Sequence, residues 1–161
     1  MVKHMTVITT KHPKETQKVA SLLASEVRGI ETTHALVIAL NGELGAGKTT
    51  FTQGFCRAFG IRENITSPTF VLMKTYQLRP VQNNRHFRHL THIDCYRIED
   101  PSELLHLGLD EILADPDAIV LIEWADRIKS ILPDDAISLD LGHGEKSNER
   151  TIEIKPYGNE I

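Results

Sequence analysis

Gly42-Glu43-Leu44-Gly45-Ala46-Gly47-Lys48-Thr49 satisfies the pattern G-x-x-x-x-G-K-[ST], and each residue type in it has a use in holding phosphate. Glycines let the backbone curl until successive N–H groups face an anion with no Cβ in the way. A helix starting at Lys48 adds the positive end of its dipole, with Thr50 beside Thr49 in the first turn. The Lys48 ammonium is suited to β- and γ-phosphates, and the Thr49 hydroxyl to Mg²⁺. The flanks fit as well. Ala35–Leu40 is a continuously apolar strand running in, and the helix running out turns Phe51, Phe55, Ala58 and Phe59 inward before ending at Gly60. The alternative is an ordinary strand–turn–helix whose glycines serve only the turn.

A phosphate loop of this kind works with a carboxylate at the end of a neighbouring strand. Ala118–Ile122 is apolar throughout and is followed by Glu123 and Trp124. Asp94, in His92-Ile93-Asp94-Cys95-Tyr96-Arg97, is the second candidate. Glu123 is the candidate metal ligand and Asp94 is expected in the metal or water shell: one carboxylate would neutralise Mg²⁺ while the other orients or deprotonates the attacking water. Ser67-Pro68-Thr69-Phe70 offers two hydroxyls on a stiffened turn, a weak signal because Ser-Pro turns are common.

The elements that must carry these groups alternate. Strands are expected at Met5–Thr10, 35–40, Phe70–Leu78, Leu90–Tyr96, 118–122, Ala136–Leu141 and Thr151–Ile154. Helices are expected from Pro13 to Gly29 (Val19, Leu22, Leu23 and Val27 on one face), from Lys48, over Pro101–Ala114 with a break at Gly108, and over Trp124–Leu132. Segment 79–89 reads as an exposed hairpin loop. Such alternation implies an α/β domain. With the phosphate loop it predicts a three-layer sandwich with a largely parallel central sheet and added antiparallel strands. The 161 residues suit one domain, spanning residues 1–161. Eighteen Lys+Arg against 22 Asp+Glu argue against a protein that holds nucleic acid by charge alone. No apolar run approaches the ~20 residues of a membrane span, and the N-terminus carries no apolar signal stretch, so a cytoplasmic location is expected.

Four motifs now stand in a fixed order: Gly42–Phe51, Ser67–Phe70, His92–Arg97 and Leu121-Ile122-Glu123-Trp124. Together they resemble the TsaE (YjeE) family of small bacterial P-loop ATPases, over nearly the whole chain. The resemblance implies a role in making threonylcarbamoyladenosine at position 37 of tRNA, with ATP and Mg²⁺ as cofactors. It implies that Leu44, Gly45, Ala46, Gly47, Lys48, Thr49 and Thr50 hold the nucleotide. It further implies that Thr49 and Glu123 bind the metal and that Asp94 is required for hydrolysis, with Lys48 and Glu123 sharing in catalysis. It also implies a TsaD–TsaB heterodimer as partner, with tRNA contacted indirectly and no membrane involved. Two departures are visible. Segment 79–89 looks long for the family, and Ala125-Asp126-Arg127 follows Trp124 where many members have Pro.

Rival readings leave their own marks. A small metabolite kinase would share the loop but want an arginine-bearing lid, for which Arg79, Arg85 and Arg88 are the candidates. A GTPase switch would want Asn-Lys-x-Asp, which the sequence lacks. The basic run 85–89 is short for a nucleic-acid surface. His86, His89 and His92 read better as a polar rim than as a metal site, with His86 and His92 on one strand face. Cys56 and Cys95 read as small buried residues.

Overall fold

The computed structural model describes residues 6–67, 72–79 and 86–155. Met5, Pro68–Phe70 and Arg85 lie outside the described residues, so only Ser67 of the Ser-Pro-Thr-Phe motif is followed below. The elements in chain order are β1 (Thr6–Thr10), α1 (Pro13–Val27), β2 (Leu36–Asn41), α2 (Lys48–Ala58), β3 (Met73–Gln77), β4 (His89–Asp94), α3 (Ser102–His106), α4 (Leu109–Ala114), β5 (Ala118–Glu123), β6 (Ile137–His143) and β7 (Arg150–Lys155). A 3₁₀ segment, Ala125–Ile131, stands between β5 and β6.

One seven-stranded sheet runs in the order β1-β7-β6-β2-β5-β4-β3. Its four central strands, β6, β2, β5 and β4, are parallel, while β3, β7 and β1 pair antiparallel at the two sides. Helices flank both faces, so side chains of the central strands alternate between two cores. Leu36, Ile38, Leu40, Ile119 and Leu121 pack with Leu23, Phe51, Phe55 and Phe59. Val37, Ala39, Val120 and Ile122 pack with Leu104, Leu109 and Ile128 on the other side. Full burial of Phe51, Phe55 and Phe59, each worth about 1.5–3 kcal/mol, fixes α2 to the sheet beneath the phosphate loop. No helix among the described residues is long and apolar enough to cross a membrane.

Several expectations need correction. Leu22 is exposed, and the buried stripe of α1 is Thr16, Ala20, Leu23, Ala24 and Val27. Small residues win there because α1 crosses α2 closely: a Cβ on Gly54 would stand 2.5 Å from Gln17 backbone. The segment after Trp124 is a 3₁₀ run broken at Ile128 rather than an α-helix. Trp124 itself has φ 56°, which a non-glycine residue rarely adopts. Within 79–89, Phe87 is buried in the core and Leu78 N–H donates to Arg88 O at 2.8 Å, so this part of the segment closes the β3–β4 edge. As expected, Gly108 (φ 87°) divides α3 from α4.

Gly42 leaves β2 at φ 139°, and a Cβ there would sit 2.2 Å from the Leu141 carbonyl oxygen. Backbone of β6 cannot yield as a side chain would. Gly42→Ala is therefore expected to destabilise the fold by about 2–4 kcal/mol through strain and overpacking. Urea denaturation measures this, and an unchanged midpoint would contradict the close approach.

Candidate nucleotide-binding and hydrolysis site

The phosphate loop leaves β2 and enters α2 at the C-terminal ends of the parallel strands, where open α/β sheets place ligands. Glycines 42, 45 and 47 all have positive φ, and no side chain caps the start of α2. The first-turn N–H groups therefore face outward without an internal acceptor, which suits an anion. The β6–β7 pair braces the loop from outside. Arg150 Nε donates to Gly45 O at 2.8 Å, and His143 Nε2 lies 3.3 Å from Leu44 O.

A cavity of about 400 Å³ opens over this loop, walled by Leu44, Gly45, Gly47, Lys48, Thr49 and Thr50 on one side. Ser67, Asp94, Tyr96, Glu123 and Trp124 face them. All the residues expected at the site meet here except Ala46, whose side chain is buried in the core and whose N–H donates to Glu43 O at 3.1 Å. Adjacent parallel strands bring the acids together, since Asp94 and Glu123 are direct register partners at the ends of β4 and β5.

Lys48 is 5% exposed. Its Nζ donates to Gly42 O at 2.6 Å and Glu43 O at 2.8 Å, and lies 3.9 Å from the centre of the Trp124 ring. Burial pushes the ammonium below its ordinary pKa, while the charges of Glu123, Asp94 and Asp126 act to hold it charged. The cation thus rests on its own loop carbonyls, next to the pocket.

The two carboxylates are held differently. Glu123 Oε2 accepts from Thr49 Oγ1 at 2.9 Å, and its Oε1 lies 2.9 Å from His92 Nε2 and 3.4 Å from Thr52 Oγ1. Asp94 Oδ2 accepts from Ser67 Oγ, and its Oδ1 accepts from Tyr96 N–H at 2.9 Å. Among the described residues no group of three or more His, Cys, Asp or Glu is arranged to hold a metal ion. A cation beside Thr49 and Glu123 would complete its sphere from phosphate oxygens and water, which is the habit of Mg²⁺. The donor set fits that ion.

Sequence reasoning missed three residues. Thr52 lies one turn beyond Lys48 and Thr49. Tyr96 serves through its backbone. His92 sits two residues before Asp94 on the same strand face, so period-2 alternation could have found it. Instead of standing on a polar rim, His92 is wholly buried behind Glu123. His86 and His89 lie near Glu31 and Asp115, at 3.7 and 3.2 Å. The cysteines are free and buried, and burial pushes both thiols up to about 12.

A family model described as "Threonylcarbamoyl adenosine biosynthesis protein TsaE" matches residues 10–152. The chain belongs to the TsaE family. It is 37% identical to the Bacillus subtilis protein named tRNA threonylcarbamoyladenosine biosynthesis protein TsaE over 150 residues, covering 93% of this chain and 85% of that one. The Haemophilus influenzae TsaE is 34% identical over 125 residues, covering 78% and 73%. The crystal structure of Bacillus subtilis YdiB superposes with a TM-score of 0.73 at 31% identity, covering 97% of this chain and 88% of that one. In this TsaE-family chain, two of the arginines considered for a kinase lid stand far from the pocket. Arg79 follows β3 and Arg88 precedes β4, at the sheet end opposite Asp94. Six strand residues at ~3.3 Å each separate the two ends.

Proposed function

We propose that this chain binds and hydrolyses ATP with Mg²⁺ as a subunit required for tRNA threonylcarbamoyladenosine formation, acting in complex with a TsaD–TsaB heterodimer. The observation that carries the reading is the convergence of an uncapped, glycine-built phosphate loop, Lys48, Thr49 and two strand-end carboxylates on one cavity. Family membership supplies the biological setting.

ATP phosphates lie along Gly42–Thr49, where loop N–H groups and the α2 dipole neutralise them. Lys48 exchanges its loop carbonyls for β- and γ-phosphate oxygens, a short move for a side chain already beside the pocket. Thr49 and Glu123 would hold Mg²⁺, which when bound would offset negative charge on the phosphate oxygens. Asp94, fixed by Ser67 and the Tyr96 N–H, is oriented to accept a proton from the attacking water. Arg127, stacked 5.6 Å from the Tyr96 and Trp124 ring centres, stands outside the cavity lining. Lys48 is the one Lys or Arg lining the cavity among the described residues, which supports a reading in which partner binding completes the site and hydrolysis by the isolated chain is slow.

Calorimetry with ATP and GTP, together with co-purification on TsaD–TsaB, tests the reading. ATP should bind more tightly than GTP, because no guanine-reading motif is present, and the heterodimer should retain the chain. Tighter GTP binding, or a phosphorylated small molecule as product, would favour a different P-loop class.

A further inference from the structure

We propose that His92 is the positioning residue for Glu123, holding its carboxylate in the orientation that presents Oε2 to Thr49 and the pocket. The inference rests on the nucleotide reading above. His92 is 0% exposed, so its ring finds no water as an alternative partner to Glu123. β4 and β5 run parallel in register, which puts His92 beside Leu121 and two residues short of the Asp94–Glu123 pair, on the same strand face. From there Nε2 reaches Oε1 at 2.9 Å, while Nδ1 has no hydrogen-bond partner. The ring therefore has one polar task, and that task is Glu123. Thr52, the other group at Oε1, is 3.4 Å away and stands closer to Lys48 O at 3.0 Å. It cannot replace the imidazole. With Oε1 engaged by the ring, Oε2 is the oxygen left for the metal side. Partners of this kind, one bond removed from a ligating group, usually matter ten- to a hundredfold in metal affinity.

The experiment compares ADP binding with and without Mg²⁺, read by calorimetry, for the parent, His92→Leu, His92→Gln and His92→Asn, with circular dichroism as the check on folding. A Gln amide nitrogen can stand where Nε2 stands; an Asn amide reaches only the Nδ1 position. His92→Leu and His92→Asn should raise the Mg²⁺ concentration for half-maximal enhancement of binding by about tenfold or more. Metal-free ADP affinity should stay within about twofold, and His92→Gln should return the Mg²⁺ midpoint close to the parent. If His92→Leu does not fold, the Gln and Asn contrast decides alone. Equal midpoints for Gln, Asn and parent overturn the proposal, as does a parallel loss of metal-free and Mg²⁺-dependent binding, which marks a packing role. A parent chain that binds no ADP overturns the nucleotide reading and this inference with it. A parent that binds normally beside unchanged variants overturns this inference alone.

Discussion

Lys48→Ala should cut ATP turnover by about a hundredfold or more while leaving the protein folded. The ammonium is the one cation on the cavity wall among the described residues, and it already stands at the phosphate loop, bonded to Gly42 O and Glu43 O. Removing it leaves the developing charge on the γ-phosphoryl oxygens to the loop amides and the metal alone. Loss of a single preorganised charge donor of this type costs about 10²–10³-fold in turnover. The fold should survive, because α2 is held by Phe51, Phe55 and Phe59 rather than by the lysine. Initial-rate ATPase assays and thermal melting check both halves. Turnover at the parent rate would remove the P-loop assignment.

The second large effect separates the two acids. Glu123→Gln keeps the size of the side chain but removes the charge that faces Thr49, so nucleotide binding should require at least about tenfold more Mg²⁺. Asp94→Asn should act on turnover rather than affinity, since its partners are Ser67 and the Tyr96 N–H and it makes no bond to Thr49. A decrease of about 10²–10⁴-fold in the chemical step fits a group that takes a proton from water, and an interaction used mainly in the transition state leaves binding little changed. Mg²⁺ titrations of nucleotide binding and single-turnover assays on both variants read the difference. Loss of Mg²⁺-dependent binding in Asp94→Asn, with Glu123→Gln unaffected, would reverse the roles.

The parts of the site that lie within one segment were legible in the sequence. Gly42–Thr49 is a local pattern, and the apolar run Ala118–Ile122 marks Glu123 as a strand end without knowledge of the fold, whereas the strand expected over Leu90–Tyr96 stops at Asp94. Strand order was not legible, so nothing in the chain announces that β4 lies beside β5 and sets Asp94 next to Glu123. Period-2 spacing from Asp94 puts His92 on the same strand face, but its contact with Glu123 depends on that strand order. A lone histidine in a strand looks alike whether its neighbour across the sheet is an acid or a solvent edge. Helical periodicity also misled at Leu22, because apolar side chains give no hint that the α1–α2 crossing is close enough to favour alanines. Trp124 defeated the helix expectation through backbone geometry: a positive φ at a tryptophan has no sequence signature.

The rate of phosphate release from ATP, measured on this chain alone and again with purified TsaD–TsaB heterodimer, tests the central claim most directly. Slow release by the isolated chain and clear stimulation by the heterodimer, with ADP and inorganic phosphate as the products, is the expected result. An unchanged rate on adding the heterodimer, or release that persists equally in Lys48→Ala, would contradict the account.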